Sequence, residues 1–171
     1  MKKLIKLSLA MFCITLLIST SAVAQTKIAY ININQLIELL PETNAAKITL
    51  TTFQKQLSDQ LNTMYTEFQT KGQAYEKSKG TMPEAIKTTK ESDLADLQKR
   101  IQEFEERAKT QFTDKQNELL APIVDKARKT ALQVSDEKGY TFLFDTSAGQ
   151  LLKGPASDNL MDAVKLKLGI K

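Results

Sequence analysis

Two long helical patterns between Thr43 and Lys138, separated by a single break, constrain this chain more than any other feature of its sequence. In the first pattern, apolar or small residues recur every three or four positions, at Leu50, Phe53, Leu57, Leu61, Met64, Phe68, Gly72 and Tyr75. These intervals repeat about every eleven residues, which predicts a nearly straight or slightly right-handed seam. The second pattern has similar spacing, at Leu94, Leu97, Ile101, Phe104, Ala108, Phe112, Gln116, Leu119, Ile123, Ala127, Ala131 and Val134. Each helix is therefore predicted to carry one apolar stripe.

The break at 79–83 contains a glycine, a threonine that can cap a helix, and Pro83 near the start of the second helix. It predicts the tip of a long antiparallel helical hairpin, or arm, that spans 43–138. The second helix exceeds the first by about 20 residues, so its C-terminal part must pack on something else. Pro122 lies in this part and predicts a bend. It is either a hinge between a free arm and its root or a tolerated kink.

The first 24 residues have the organisation of a secretory signal peptide. Three lysines precede a short apolar run at 7–18, and small residues precede a cleavage site between Ala24 and Gln25. A retained membrane anchor is the alternative, but the apolar run is short for a membrane span. Removal of residues 1–24 from the 171 leaves a chain of 147 residues, the length of one domain.

Charge and composition exclude several classes of function. The whole chain has 24 basic and 20 acidic residues, and three of the lysines leave with the signal peptide, so the mature chain is close to neutral. A nucleic-acid partner is therefore not expected. The chain has no histidine, and its one cysteine, Cys13, also leaves with the signal peptide. Without thiols, imidazoles, or nucleotide-binding or catalytic motifs, we expect no disulfide, no metal site, no cofactor and no enzymatic activity.

Two flanking segments, 25–42 and 139–171, are predicted to form a small β-body, which makes the fold class α+β and predominantly helical. Three strands are expected at 27–33, 140–145 and 150–153. A short helix is expected at 35–40 with Asn34 as its N-cap, and a final helix is expected after an N-cap at Ser157 or Asp158.

Three short strands per chain leave open sheet edges. The first strand, KIAYINI, is apolar on both faces, which is unsuited to an exposed edge. We therefore expect several chains to share the sheet in a closed oligomer. A two-helix hairpin also has little core of its own, and the same oligomer can support the arms.

Two groups of residues are candidates for function. The larger side chains of the arm stripe form either the hairpin seam alone or a surface that holds apolar segments of a partner: Phe53, Met64, Phe68, Phe104 and Phe112. Lysines gather near the tip and form either a solvated surface or a site that attracts an acidic client or a lipid surface: Lys71, Lys77, Lys79, Lys87 and Lys90. The attraction should weaken as salt is added.

Three segments together resemble the Skp/OmpH family of periplasmic chaperones. They are KIAYININQLIELLPE at 27–42, ELLAPIVDKARKTALQVSDEKGYTFLFDTS at 118–147 and DNLMDAVKLKLG at 158–169. The order of helix, proline, helix, Lys-Gly-Tyr and strand is the most specific part of the resemblance. The arms are generic helix and contribute little to it.

The resemblance implies a homotrimer that pools its strands into one β-body and projects three arms around a cavity. The cavity is expected to hold unfolded outer-membrane β-barrel proteins in the periplasm, without ATP and without cofactors. Transient contact with a membrane surface is also kept open. The near-neutral charge departs from the strongly basic character of the best-known member of the family. The main alternative is a structural coiled-coil spacer or adaptor of the cell envelope; a nucleic-acid or lipid-surface binder that acts through the tip is a weaker one.

Overall fold

The computed structural model describes residues 26–149 and 151–170, so the predicted signal peptide and its cleavage site at Ala24 and Gln25 lie outside it. The described part is predominantly helical. Its elements, in order, are β1 (Ile28–Ile31), α1 (Ile33–Leu39), α2 (Pro41–Ser78), α3 (Glu84–Glu137), β2 (Phe142–Asp145), a 3-10 turn (Ala156–Asp158) and α4 (Met161–Leu168).

The predicted helical hairpin is confirmed. Helix α2 has 38 residues and α3 has 54, which correspond to about 57 Å and about 81 Å at 1.5 Å per residue. α2 begins with Pro41 in its first turn, where a backbone N–H would have no partner within the helix, so a proline is tolerated there. The break between the helices lies at 79–83, where the sequence places the tip.

The longer helix packs its C-terminal part into the body, as its length requires. Four small or branched side chains of α3 are buried there, one or two turns apart: Ile123, Ala127, Ala131 and Val134. They join one hydrophobic core with side chains from β1, α1, the start of α2, and α4: Ala29, Ile31, Ile33, Leu36, Leu40, Ala46, Leu160 and Val164. We call this part of α3 the root. The arm is therefore anchored by its second helix.

The two strands pair in parallel, with Ile28 opposite Phe142 and Ile31 opposite Asp145. Parallel neighbours need a long crossover connection, and here the crossover includes the whole hairpin. On the inner face, Ala29 and Ile31 are buried in the core. The outer face carries Ile28 and the phenylalanines of β2.

The predicted third strand at 150–153 is not present in the described residues, which begin again at Leu151 after the undescribed Gln150. Residues 151–153 are irregular, and the other edge of β1 is taken by a single bridge between Tyr30 and Asn159. The chain instead crosses the ring of Tyr30 at Gly154, where a Cβ would lie 2.7 Å from Cε1 of the ring. At this close crossing, a side chain at position 154 would require the Tyr30 ring to shift.

Both predicted N-caps in the body are wrong by two or three residues. The N-cap of α1 is Asn32 rather than Asn34, because the Oδ1 atom of Asn32 accepts a hydrogen bond from the Gln35 backbone at 3.0 Å. Before α4, residues 156–158 form a 3-10 turn, and Oδ1 of Asn159 accepts from the Met161 backbone at 2.9 Å. The N-cap position of α4 is Leu160, which makes no side-chain capping hydrogen bond, so only α1 has an asparagine as its N-cap.

A polar cluster joins the end of β2 to the start of α1. The Oδ1 atom of Asp145 accepts hydrogen bonds from the Ser147 backbone at 2.9 Å, from Oγ of Ser147 at 2.5 Å and from the Ile33 backbone at 3.3 Å. Oγ of Ser147 in turn accepts from the Asn34 backbone at 3.0 Å. Burial acts to raise the pKa of Asp145, but these hydrogen bonds outweigh it and hold the pKa below its ordinary value.

We expect Asp145→Ala to lower the free energy of unfolding by about 1–2 kcal/mol, because the backbone donors of Ile33 and Ser147 lose their acceptor. Urea unfolding followed by circular dichroism measures the change. Asp114→Ala on the exposed surface of α3 is the control and should change stability by less than about 0.5 kcal/mol.

The same substitution should alter the pH dependence of stability. The pKa of Asp145 is lower in the folded protein than in the unfolded chain, so its contribution is present at neutral pH and is lost as pH falls through the folded-state pKa. The difference between wild type and Asp145→Ala should therefore shrink in acid. Two results contradict this role of Asp145: a stability difference that stays constant down to acid pH, or an Asp145→Ala variant that is as stable as the wild type at neutral pH.

Candidate functional site

The five predicted arm residues all lie in the seam between α2 and α3. Phe104 is buried, together with Leu97 and Ile101 on the same face of α3. The other four are half-buried and keep part of their surface exposed to solvent: Phe53, Met64, Phe68 and Phe112. The seam is thus built mainly by the hairpin itself, and only its margins offer apolar surface to another molecule.

Two tyrosine–glutamate hydrogen bonds connect the helices along the outer half of the arm. The Tyr65 hydroxyl donates to Oε1 of Glu105 at 2.8 Å, and the Tyr75 hydroxyl donates to Glu91. Each bond to a carboxylate favours the protonated phenol, so it raises the pKa of Tyr65 and raises that of Tyr75 to about 12. These bonds fix the register of the two helices where apolar burial is thin.

Ion pairs between separate elements occur only at the base of the arm, within the described residues. Lys126 of α3 pairs with Glu42 at the start of α2, and Lys167 of α4 pairs with Glu137 at the end of α3. The lysine hydrogen bond in each pair lowers the pKa of its glutamate. Elsewhere the ion pairs join residues three or four apart on one helix: Lys55–Asp59, Lys71–Glu67, Lys79–Glu76, Lys87–Glu84, Lys99–Glu103, Lys109–Glu106, Lys115–Glu118 and Lys129–Asp125.

The tip lysines differ in how far they are neutralised. Lys71 and Lys79 lie 2.6 Å from the carboxylates of Glu67 and Glu76, and Lys87 lies 3.9 Å from that of Glu84. For Lys77 and Lys90, the described residues place no carboxylate within ion-pairing distance. The positive charge that remains available at the tip therefore rests mostly on these two side chains.

Pro122 lies where the arm seam gives way to the body core, one residue before the buried Ile123. α3 remains helical through this position. Beside Pro122 a shallow groove between α2 and α3 is lined by small side chains of α2, among them Ala45 and Thr49, and is bordered by the Glu42–Lys126 ion pair. Pro122 therefore faces only small side chains of α2 across this groove.

The outer face of the small sheet is an apolar surface that is not among the candidates predicted from the sequence. Phe142 and Phe144 are 54% and 55% exposed, and Ile28 beside them is 49% exposed. The signal was present in the alternation of Phe142, Leu143 and Phe144, because period-two spacing places both phenylalanines on one face. Leu132 on the root of α3 is also exposed, but it lines a groove with Ile31 and Leu143 of the other sheet face. We call Ile28, Phe142 and Phe144 the outer patch.

None of the helices in the described part of the chain is both long enough and apolar enough to cross a membrane.

Comparison with known proteins assigns the family. The profile of the family described as "Outer membrane protein (OmpH-like)" matches residues 27–168, which include both strands, the arm and α4. The chain belongs to the OmpH-like family. The match to nearly all of the described chain confirms the resemblance that the body segments indicated.

Related OmpH-like sequences carry the name of a chaperone. The chain is 29% identical over 152 residues to the "Chaperone protein Skp" of Photorhabdus luminescens, covering 86% of this chain and 88% of that protein. It is 25% identical over 153 residues to the protein of the same name from Yersinia enterocolitica, with 87% and 90% covered.

A solved structure has the same fold. The putative OmpH-like outer membrane chaperone of Caulobacter crescentus superposes with a TM-score of 0.73 and covers 83% of each chain. The two sequences are only 15% identical, so this likeness concerns the fold alone. It supports the arm-and-body architecture of the OmpH-like family for this chain.

We propose that Pro122 acts as a hinge between the arm and its root, and Pro122→Ala tests this. Alanine restores a main-chain hydrogen bond within α3 and should stabilise the chain by about 1 kcal/mol or more. It should also change the spread of the arms, which small-angle X-ray scattering of the mature chain measures. Ala121→Ser, at the exposed neighbouring position, is the control. An unchanged scattering profile for Pro122→Ala leaves the proline without a role as a hinge.

Proposed function

We propose that this protein is an ATP-independent holdase of the periplasm, which binds unfolded outer-membrane β-barrel proteins between its helical arms. The observation that carries the proposal is the family match over residues 27–168, whose named relatives are chaperones. The predicted signal peptide at 1–24 supports export from the cytoplasm. The proposed activity is non-enzymatic and needs no cofactor.

The proposed mechanism is caging by many weak contacts. The half-buried margins of Phe53, Met64, Phe68 and Phe112 offer small apolar surfaces along each arm. Each contact is weak, so an unfolded client remains disordered and loses little conformational entropy on binding. The client leaves when folding elsewhere releases more free energy than these contacts do.

The caging proposal requires several arms, and we propose a homotrimer held together by the body. The outer patch supports this, because a group of exposed aromatic and branched side chains is typical of a surface that another chain covers. The free edge of β2 supports it too, because an apolar edge strand is usually paired or covered. Symmetric contacts between copies of the chain can cover both the outer patch and the free edge of β2.

Phe144→Glu should disrupt the trimer, because it places a charge in the centre of the proposed interface. Multi-angle light scattering of the mature chain measures the mass, which should fall from three chains to one. Ile48→Glu is the matched control: Ile48 is 62% exposed, but it lies on the arm, so the mass should not change. A Phe144→Glu variant that keeps the mass of three chains rules out this interface.

The tip lysines add an electrostatic component to the proposal. Lys77 and Lys90, which lack ion-pair partners among the described residues, can attract acidic client segments or, transiently, the anionic surface of a membrane. Both attractions should weaken as salt is added. For the membrane surface, co-sedimentation of the mature chain with anionic vesicles at two salt concentrations measures this effect.

One observation favours the alternative of a structural spacer or adaptor in the cell envelope. The arm stripe is used largely to join α2 to α3, with Phe104 buried, so much of it is not available to a client. A spacer needs only a stable arm and one folded partner. The two functions differ in what they do to an unfolded chain.

Aggregation of an unfolded client distinguishes the two. A urea-unfolded outer-membrane β-barrel protein is diluted into buffer with and without the mature chain, and turbidity is followed without ATP. The holdase should suppress turbidity at about one trimer per client, whereas bovine serum albumin at the same mass concentration should not. A mature chain that leaves the client to precipitate supports the spacer and contradicts the holdase.

A further inference from the structure

Two leucines after β2 project from the body. Leu152 is 97% exposed, and Leu151 beside it is 42% exposed. Single exposed leucines are common on protein surfaces and need no explanation. Here the two form an apolar projection on the segment 151–153, which has no regular structure of its own. Leu152 buries almost no surface within its own chain, so it adds almost nothing to the stability of a single chain.

The segment 151–153 belongs to the same side of the sheet as the outer patch. Gly154, which follows the segment, lies against the ring of Tyr30. Tyr30 is paired with Phe144 across the two strands, and residues paired in this way have their side chains on the same face of a sheet. The two leucines are therefore attached at the outer face of the body.

On the other face of the sheet, an open groove lies between the root of α3 and β2. Its volume is about 240 Å³, and five of its seven lining residues are apolar: Ile31, Ile33, Ala131, Leu132 and Leu143. The two other lining residues, Arg128 and Asp145, carry opposite charges. The apolar character of the groove, rather than its charge, therefore determines which side chain it suits.

The groove has room for one aliphatic side chain. An apolar cavity of about 150 Å³ holds benzene, which has six carbon atoms, whereas the side chain of leucine has only four. Leu132, which is 55% exposed at the groove, would lose contact with water when such a side chain enters. Burial of apolar surface on both sides makes the contact favourable.

The proposed trimer needs more surface than the outer patch supplies. A stable interface covers roughly 800 Å² on each partner, whereas three half-exposed side chains supply at most about 300 Å². A closed ring of three chains also needs two different surfaces on each chain, because one surface contacts the other surface of the next chain. The projecting leucines and the groove lie on opposite faces of the sheet and meet this requirement.

We propose that Leu152 of each chain occupies the groove of the next chain, beside Leu132 and Leu143, and that three such contacts close the ring head to tail. The occupant is a second copy of this chain. The proposal rests on the proposed trimer and names the pair of surfaces that closes it. Both surfaces adjoin the part of the body that the trimer is proposed to cover.

The test cross-links the full mature chain through introduced cysteines. The sequence from Gln25 onward contains no cysteine, so the introduced thiols are the only ones. The double variant Leu152→Cys/Leu132→Cys is oxidised in air with copper phenanthroline and analysed on a denaturing gel. It should give linked dimers and trimers that a reductant separates, because a disulfide forms only where the two Cβ atoms approach within about 4.5 Å.

Gln133 provides the matched control for this cross-link. It is the exposed neighbour of Leu132 on α3, and it does not line the groove. Leu152→Cys/Gln133→Cys should therefore leave most chains unlinked. A head-to-tail contact also predicts that Leu152→Cys alone and Leu132→Cys alone form no linked chains. The two single variants, refolded together from urea, should form linked dimers.

A substitution measures how much the contact contributes. Leu152→Asp should raise the protein concentration at which the trimer dissociates by about tenfold or more, because a charge replaces the side chain that fills the groove. Sedimentation equilibrium measures this concentration. Leu152 is too exposed for the change to unfold the chain. Ile48→Asp adds the same charge at an aliphatic residue of the arm that is 62% exposed, and it should leave dissociation unchanged.

Three results overturn the contact while the trimer stands: a trimer in which the double-cysteine variant stays unlinked, linkage by Leu152→Cys alone, or dissociation that Leu152→Asp does not change. Thiols that disappear without linked chains place Leu152 in the groove of its own chain and also overturn it. A mature chain with the mass of one chain contradicts the trimer itself. The aggregation assay tests the holdase separately from both.

Discussion

The anchoring of α3 in the body is the interaction on which the rest of this structure depends. A hairpin of two helices buries one stripe from each helix and cannot form a core of its own. In the arm, only Leu97, Ile101 and Phe104 are fully buried among the stripe residues of α3. From Ile123 onward the same helix enters the hydrophobic core of the body. An element about 81 Å long is thus held at one end.

This arrangement separates two physical tasks along one helix. The root provides stability, through side chains that are buried on all sides, and through the polar cluster at Asp145 that connects β2 to α1. The arm provides reach, and outside Leu97, Ile101 and Phe104 its stripe residues are mostly half-buried. Loose packing costs little there because the root already determines the fold. It leaves apolar margins along the seam that a weakly binding chaperone can use.

Most of the fold could be predicted from the sequence because it depends on local spacing. Intervals of three and four residues determine the stripes, and Pro83 marks the start of α3. The predicted third strand is wrong, because the residue types at 151–153 suit a strand but the segment is irregular and Leu152 is almost fully exposed. The role of Asn32 as the N-cap was similarly hidden by Asn34 two residues later. Both errors concern backbone pairing or capping contacts that the spacing of residue types does not reveal.

The candidate surfaces were less predictable than the fold. The sequence identifies Phe104 as a stripe residue, but only the packing of α2 on α3 shows that it is buried while Phe68 remains half-exposed. The outer patch was detectable in the alternation of β2, yet its exposure depends on where the sheet is left uncovered.

The shared body and the cage are tested together by the mass of the mature chain, measured by light scattering on a sizing column, alone and after a urea-unfolded outer-membrane β-barrel protein is diluted into it. We expect the mass of three chains alone and the mass of three chains plus one client in the mixture. A single-chain mass contradicts the shared body and with it the cage. A three-chain peak that elutes without client contradicts the holdase.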